Sequence, residues 1–373
     1  MTLQEVRFKK VQTNNTYMMT WKNNLTDLVP YKAGEQIEGE DVIKLNANEN
    51  PYPPSPKIEN ALGEFDYQEL KKYPALDSSF LDKTIAEYHG VQIRNVFSGN
   101  SSDEVLAMCF KAFFNSKSPI LFPDITYSFY PVWCSFYDID YDEIALGADF
   151  SINIDDYKRK NGGIIIPNPN APTGIALSKD EVSVLVEKNK ESVIIIDEAY
   201  VDFADFSAIE LTRKYHNLLV VRTTSKSRSL AGLRVGYAIG SHELIQALHT
   251  AMHSFNAYPL SILSMKVAQA SFFDRDYFLQ TVNKIKSTRI RISSELENKG
   301  FKLTDSKANF IFMTHENIEA GKLYEYLYDR KILVRYFAKD KLNEYLRISI
   351  GTDKEMSILC SAIDEFMEEN DVI

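Results

Sequence analysis

The 373-residue chain has only three cysteines, Cys109, Cys134 and Cys360, far apart and odd in number. That leaves no disulfide framework and no metal-ligand spacing among them. Each lies in an apolar stretch and reads as a small core residue in a reducing compartment. Apolar runs long enough to span a bilayer are missing too, and the first twenty residues hold no apolar signal core. Excess positive charge is also lacking, the formal net charge being -10. A duplex-binding or acidic-membrane protein needs a basic face, so nucleic acid and membrane drop out as partners. A local basic pocket for a phosphorylated small molecule remains compatible with that charge. No internal repeat or low-complexity tract breaks the chain, which these absences assign to the cytoplasm.

What is present is ordinary globular material, 45% hydrophobic and 25% charged, enough for two or three domains. Short apolar runs bounded by Pro, Gly and Asn recur at 119–124, 162–169, 192–200 and 217–225. Continuous Ile, Val and Leu of this length suit strands buried on both faces, as in a parallel sheet covered by helices. Between them, residues 177–190 open on Ser, Lys and Asp and place Val182, Leu185 and Val186 at helical spacing. The alternation predicts an α/β fold, a three-layer α/β/α large domain over 46–270 with a mostly parallel sheet. From 271 the pattern becomes a long helical segment closing on Gly300. Strand-like NFIFMTH, ILVRYF and YLRISIG and a final helix follow, a smaller α+β domain over 271–373. Residues 1–45, weakly periodic, read as an arm packing on the small domain or on a partner.

In an open parallel sheet, ligands gather beyond the carboxyl ends of the strands. The polar residues just after the apolar runs are Asn168 and Asn170, then Asp197, then Ser225 and Lys226. Singly, such an acid caps a loop and such a lysine is solvated. Together, a buried acid and a lysine at neighbouring strand ends form the pair that pyridoxal 5'-phosphate requires. The amine makes a Schiff base with the aldehyde, and the carboxylate keeps the ring nitrogen protonated. For the phosphate, SGNSSDEVLAMCF (98–110) predicts a loop entering a helix, with Ser101 and Glu104 in capping-box spacing. SKSRSLAGLRVGY (225–237) adds the Ser225 hydroxyl, the cations Arg228 and Arg234, and two glycines for close backbone approach.

The strings LNANENPYPPSP (45–56), DEAY (197–200), SK followed by AGLRVGY, GNSSDEVL, YPALDSSFLDKTIAEYHG (73–90) and LRISIGT (346–352) resemble the histidinol-phosphate group of fold-type-I aminotransferases. The likeness runs from about residue 28 to 352. It implies an enzyme that passes an amino group between histidinol phosphate and 2-oxoglutarate, through pyridoxal 5'-phosphate. By resemblance, Lys226 is the Schiff-base lysine, Asp197 the partner of the ring nitrogen, and Tyr200 the donor to the phenolic oxygen. Tyr127 resembles the ring that stacks on the cofactor. Ser225, Arg234, Ser101 and Ser102 resemble the phosphate grip. Tyr73 resembles the residue that reaches the same phosphate from a second subunit, which implies a homodimer. Arg347 and Arg335 resemble the arginines that clamp the anionic groups of the substrate, with Tyr31 and Asn50 as further substrate contacts.

Two departures from the family pattern stand out. The asparagine usual before Pro-Thr-Gly is replaced by Ala171, with Asn170 one residue early and a small loop shift away from substituting. Arg228 stands where many relatives carry an apolar or aromatic residue, as a substrate contact or a structural ion-pair partner. Three other functions share the cofactor motifs. They are an aromatic or broad-range aminotransferase, a threonine-phosphate decarboxylase, and a non-enzymatic cofactor sensor, for which no appended module is visible.

Overall fold

A computed structural model describes residues 25, 26, 28–31, 37, 39, 41–74 and 78–372. The chain divides into Met1–Pro30 and Tyr31–Ile373. The described residues of the first unit carry no helix or strand, and the expected arm lies mostly outside the described residues. The second unit holds every element that follows. In chain order its first half comprises β1 (Ile43–Lys44), α1 (Lys57–Gly63), α2 (Ser79–His89), β2 (Val96–Asn100), α3 (Ser101–Phe113), β3 (Ile120–Pro123), α4 (Tyr130–Tyr137), β4 (Tyr141–Ile144), β5 (Ile164–Pro167), α5 (Lys179–Lys188), β6 (Ile194–Asp197), β7 (Leu218–Thr223) and β8 (Val235–Gly240). The second half comprises α6 (His242–Phe255), α7 (Ile262–Phe272), α8 (Arg275–Asn298), β9 (Lys302–Leu303), β10 (Phe310–Thr314), α9 (Ala320–Asp329), β11 (Ile332–Leu333), β12 (Arg335–Tyr336), β13 (Leu346–Ser349) and α10 (Asp353–Glu369).

Seven strands form one sheet in the order β2-β8-β7-β6-β5-β3-β4. Only β8 runs antiparallel to its neighbours; the other pairings are parallel. The apolar runs make this sheet because alternate residues find partners on opposite faces. Ile164, Ile166, Ile194, Ile196, Leu218 and Val220 pack with Leu81 and Ile85 of α2, the Val182–Val186 face of α5, and Met265 of α7. Ile165, Ile195, Leu219 and Val221 turn the other way, toward Leu106 and Phe110 of α3, Trp133 of α4 and Leu248 of α6. With both faces covered, each of these side chains contributes roughly 1.5–3 kcal/mol of apolar burial. Helix α5, expected from its Ser-Lys-Asp start, opens on a capping box of Ser178 with Glu181. Helix α3 corrects the capping box expected at Ser101 and Glu104. It begins at Ser101 itself, with Asn100 at the cap position, and Glu104 accepts from the Asn100 amide at 2.6 Å.

The later elements form a second, antiparallel sheet in the order β12-β13-β10-β9. Apolar faces of α8, α9 and α10 close its core around Ile292, Leu323, Leu359 and Ile363. The run ILVRYF is not one strand. It breaks at Val334, because β11 pairs in parallel with β1 while β12 joins β13. Leu45 joins this same core, and just beyond it Asn48 and Asn50 reach Tyr200 and the Lys226 carbonyl.

Candidate active site

Parallel register sets the site. Pro167 of β5 stands opposite Asp197 of β6, which stands opposite Val221 of β7, so Asn168, Asp197 and Ser225–Lys226 leave the sheet side by side. Asp197 is 4% exposed. Its Oδ2 accepts from the Tyr130 hydroxyl at 3.0 Å and its Oδ1 from the Ala199 amide at 3.2 Å. Burial pushes its carboxyl up to about 6, against the pull of those two donors. Lys226 Nζ donates to the Ala47 carbonyl at 3.2 Å and lies 5.8 Å from the centre of the Tyr200 ring. The Tyr200 hydroxyl accepts from Asn48 Nδ2 at 3.0 Å. Asn48, at φ 54, is held in that left-handed turn by Ser349 of β13 and by Asn309.

At the neighbouring strand ends, the first turn of α3 lies directly on β8. A side chain at Gly236 would sit 2.2 Å from the Ser102 amide nitrogen, so only glycine permits that approach. Ser101 is at φ 77 and Arg234 at φ 58, two left-handed non-glycine residues next to the strand ends that make this contact. Asp103 links them to the stacking candidate. Its Oδ1 accepts from the Tyr127 hydroxyl at 3.0 Å, and its Oδ2 pairs with Arg234 at 2.8 Å. Ser225 is buried and receives a hydrogen bond from Thr223 Oγ1 at 2.9 Å.

Arg347 of β13 reaches the same region. It donates to the Asn46 carbonyl at 2.9 Å, and its Nε is buried without a hydrogen-bond partner. Its cross-strand neighbour is Arg335 of β12. Burial lowers the Arg347 guanidinium from its usual value and the Arg335 charge adds to this, while Tyr200 and Tyr31 oppose it. Tyr31 stacks on Phe129 at 4.8 Å and meets Tyr127 at 6.3 Å.

Other sequence-predicted residues have the following contacts. Asn50 Nδ2 donates to the carbonyls of Lys226 and Ser227, both at 3.1 Å, and Oδ1 accepts from Tyr52. Its polar atoms therefore hold the lysine segment. Asn170 Nδ2 donates to the Ile125 carbonyl at 2.9 Å and to Thr173 at 3.2 Å, which leaves its buried Oδ1 unpaired. It presents an acceptor where the residue absent at Ala171 is expected to donate. Tyr73 is 81% exposed and stacks on Tyr258. Arg228 is buried in a box of rings, 4.0 Å from Phe272, 4.3 Å from Phe278 and 4.8 Å from Tyr88, and donates to the Ser271 carbonyl. Among the described residues, no carboxylate lies within ion-pair distance of it. Sequence reasoning missed Asn48 and Asp103, which lie inside strings it had singled out, and Tyr130, three residues after Tyr127.

A lysine and a buried acid at adjacent strand ends, beside a helix N-terminus and an arginine, define a site for amino-group chemistry on a phosphorylated cofactor. The profile of aminotransferase class I and II matches residues 40–363, and the chain belongs to that family. Aminotransferases of these classes work with pyridoxal 5'-phosphate. More narrowly, the chain is similar to the histidinol-phosphate aminotransferase of Lactococcus lactis subsp. cremoris, 47% identical over 353 residues covering 95% of this chain and 99% of that one. To the histidinol-phosphate aminotransferase of Brachyspira hyodysenteriae it is 50% identical over 335 residues, 90% and 95% of the two chains. In fold it matches the histidinol-phosphate aminotransferase of Clostridium acetobutylicum at TM-score 0.82 and 23% identity, over 88% of this chain and all of that one. It matches that of Sinorhizobium meliloti in complex with pyridoxal-5'-phosphate at TM-score 0.79 and 22% identity, over 88% and 91%.

Proposed function

We propose that the protein transfers an amino group between histidinol phosphate and 2-oxoglutarate, as a pyridoxal-phosphate enzyme of histidine biosynthesis. The observation that carries the substrate is the cross-strand pair Arg335–Arg347. Like charges directly opposite each other on adjacent strands destabilise a sheet. Such a pair at the mouth of the site is suited to an anionic substrate group such as a phosphate. The nearly full-length likeness to named histidinol-phosphate aminotransferases supports the same reading.

The donor set fits the cofactor. Asp197 is a buried carboxylate with one tyrosine donor, suited to holding the proton of the ring nitrogen. Lys226 lies near the Tyr200 ring, and the α3 N-terminus lies close against the Gly236 backbone. When bound, pyridoxal 5'-phosphate supplies an aldehyde that takes up the amino group and a ring that accepts an electron pair. Lys226 Nζ anchors the cofactor and, once freed, takes the proton from the substrate carbon and returns it, as base and then acid. Tyr200 would donate toward the phenolic oxygen, Tyr127 would stack on the ring, and Ser101, Ser102, Ser225 and Arg234 would hold the phosphate. Asn170 would border the ring, and Tyr31 would close the substrate side. Asn50 positions the Lys226 backbone.

We further propose a cytoplasmic homodimer, with residues 46–270 as the cofactor lobe and 271–373 as the small lobe. Tyr67, Leu70 and Tyr73 stand exposed along one segment, as a surface to be covered by a second copy with Tyr73 reaching its phosphate site. No helix among the described residues is long and apolar enough to cross a membrane. Borohydride trapping with peptide mapping tests Lys226, and a panel of amino donors with 2-oxoglutarate tests the substrate. Lys226→Ala is expected to abolish turnover. Substantial transamination by that variant, or a higher kcat/KM for phenylalanine than for histidinol phosphate, overturns the proposal.

A further inference from the structure

Each of the three ring-side residues is followed closely in sequence by a member of one buried polar cluster. Glu198 follows Asp197, Asp202 lies two residues beyond Tyr200, and Ser227 follows Lys226. Arg222 of β7 joins them. Its guanidinium pairs with one oxygen of Asp202 and stands 3.8 Å from Glu198. The Ser227 hydroxyl donates to the other oxygen of Asp202. Glu198 is closed off by Ser207 Oγ at 2.7 Å and the Ala208 amide at 2.5 Å. Tyr237, opposite Arg222 on β8, with His89 and Arg228, completes the surroundings of the cluster. From the other side, Asn50 grips the carbonyls of Lys226 and Ser227.

A cluster of this kind is a poor source of net stability, because desolvating its ions offsets most of their attraction. What it supplies is geometry. Two carboxylates and one guanidinium, all with defined partners, leave little freedom in the loops that carry Asp197, Tyr200 and Lys226. Ser227 ties that cluster to the lysine segment by a hydrogen bond.

We propose that Asp202, anchored by Arg222, is a positioning residue that fixes the Lys226 amine through the Ser227 hydroxyl. The inference rests on Lys226 as the cofactor lysine. Ser227→Ala and Asp202→Asn then lower kcat by roughly tenfold each, since small misplacements of a reacting group are costly. KM for the amino donor stays within about twofold, as the substrate arginines are untouched. The double variant falls no further than the worse single one, because both changes cut the same link.

The test uses dimeric holoenzyme, with kinetics, urea unfolding and a pH titration of the bound-cofactor absorbance. Borohydride trapping confirms in each variant that the cofactor sits on Lys226. A shifted titration midpoint with trapping intact, and a non-additive loss in kcat, supports the inference. Reduced stability with kcat and midpoint unchanged reduces the cluster to a structural role and overturns it. Ser227→Thr, which keeps the hydroxyl, is expected to restore the wild-type midpoint, and failure to do so in a folded variant also counts against it. Trapping elsewhere than Lys226 in the wild type fails the cofactor assignment itself, a result distinct from either.

Discussion

Tyr130, the first residue of α4, donates its hydroxyl to Asp197, the last residue of β6, across 3.0 Å. The acid is otherwise enclosed, and burial raises its carboxyl to about 6. In the apoprotein this is a cost of ionisation. On the proposed reading, a protonated ring nitrogen beside Asp197 would offset it, so the same burial that penalises the empty site would strengthen its grip on a cationic ring.

The sign of the pH dependence follows. A carboxyl whose folded value exceeds its unfolded value of about 4 stabilises the fold below that value and loses the contribution as pH rises through 6. Asp197→Asn apoprotein is therefore expected to gain on wild type between pH 4 and 7, by up to about 3 kcal/mol. Urea unfolding at both pH values measures it. A pH-independent difference between the two proteins defeats the assignment. Tyr130→Phe removes a donor to the ionised form, so the wild-type transition is expected to move to higher pH.

Arg335 and Arg347 make a prediction that separates stability from activity. Arg335→Ala removes one of two like charges facing each other across β12 and β13, so the apoprotein is expected to keep its stability to within about 1 kcal/mol. KM for histidinol phosphate is expected to rise roughly a hundredfold, about 3 kcal/mol of lost phosphate contact. Steady-state kinetics beside thermal melting reads both, and an unchanged KM removes Arg335 from the substrate site.

Asp103 holds Tyr127 and Arg234 from one carboxylate, tying the expected stacking ring to the expected phosphate cation. Asp103→Ala frees both side chains, and ordering them again on binding costs about 1 kcal/mol each. Cofactor affinity of the apoprotein is expected to fall by roughly tenfold or more, measured by fluorescence titration. Wild-type affinity would show that neither group needs the tether.

Arg228, the departure beside the lysine, is enclosed by Phe272, Phe278 and Tyr88. Arg228→Ala empties that box and is expected to cost about 2–4 kcal/mol of stability, read from urea unfolding. KM of the folded fraction stays at wild type. A large rise in KM with stability intact would instead make Arg228 a substrate residue.

The large sheet was legible in the sequence because a strand buried on both faces leaves a continuous run of Ile, Val and Leu, a purely local mark. Asp197 and Lys226 could be picked out for the same reason, since each ends or follows such a run. β8 carries no comparable apolar run, and its antiparallel place beside β2 followed only from the sheet order. ILVRYF looked like one strand because periodicity cannot report that its halves pair with different partners.

By itself, then, the sequence determined the layered fold, the chemistry class and the positions of the acid and the lysine. Tertiary structure alone decided what those residues touch. Tyr130 meets Asp197 across 67 residues, and Asn50 turns to the Lys226 carbonyl across 176. Arg335 faces Arg347 only through the register of β12 on β13. Local patterning records whether a side chain is buried; strand order and register decide which distant group it is buried against.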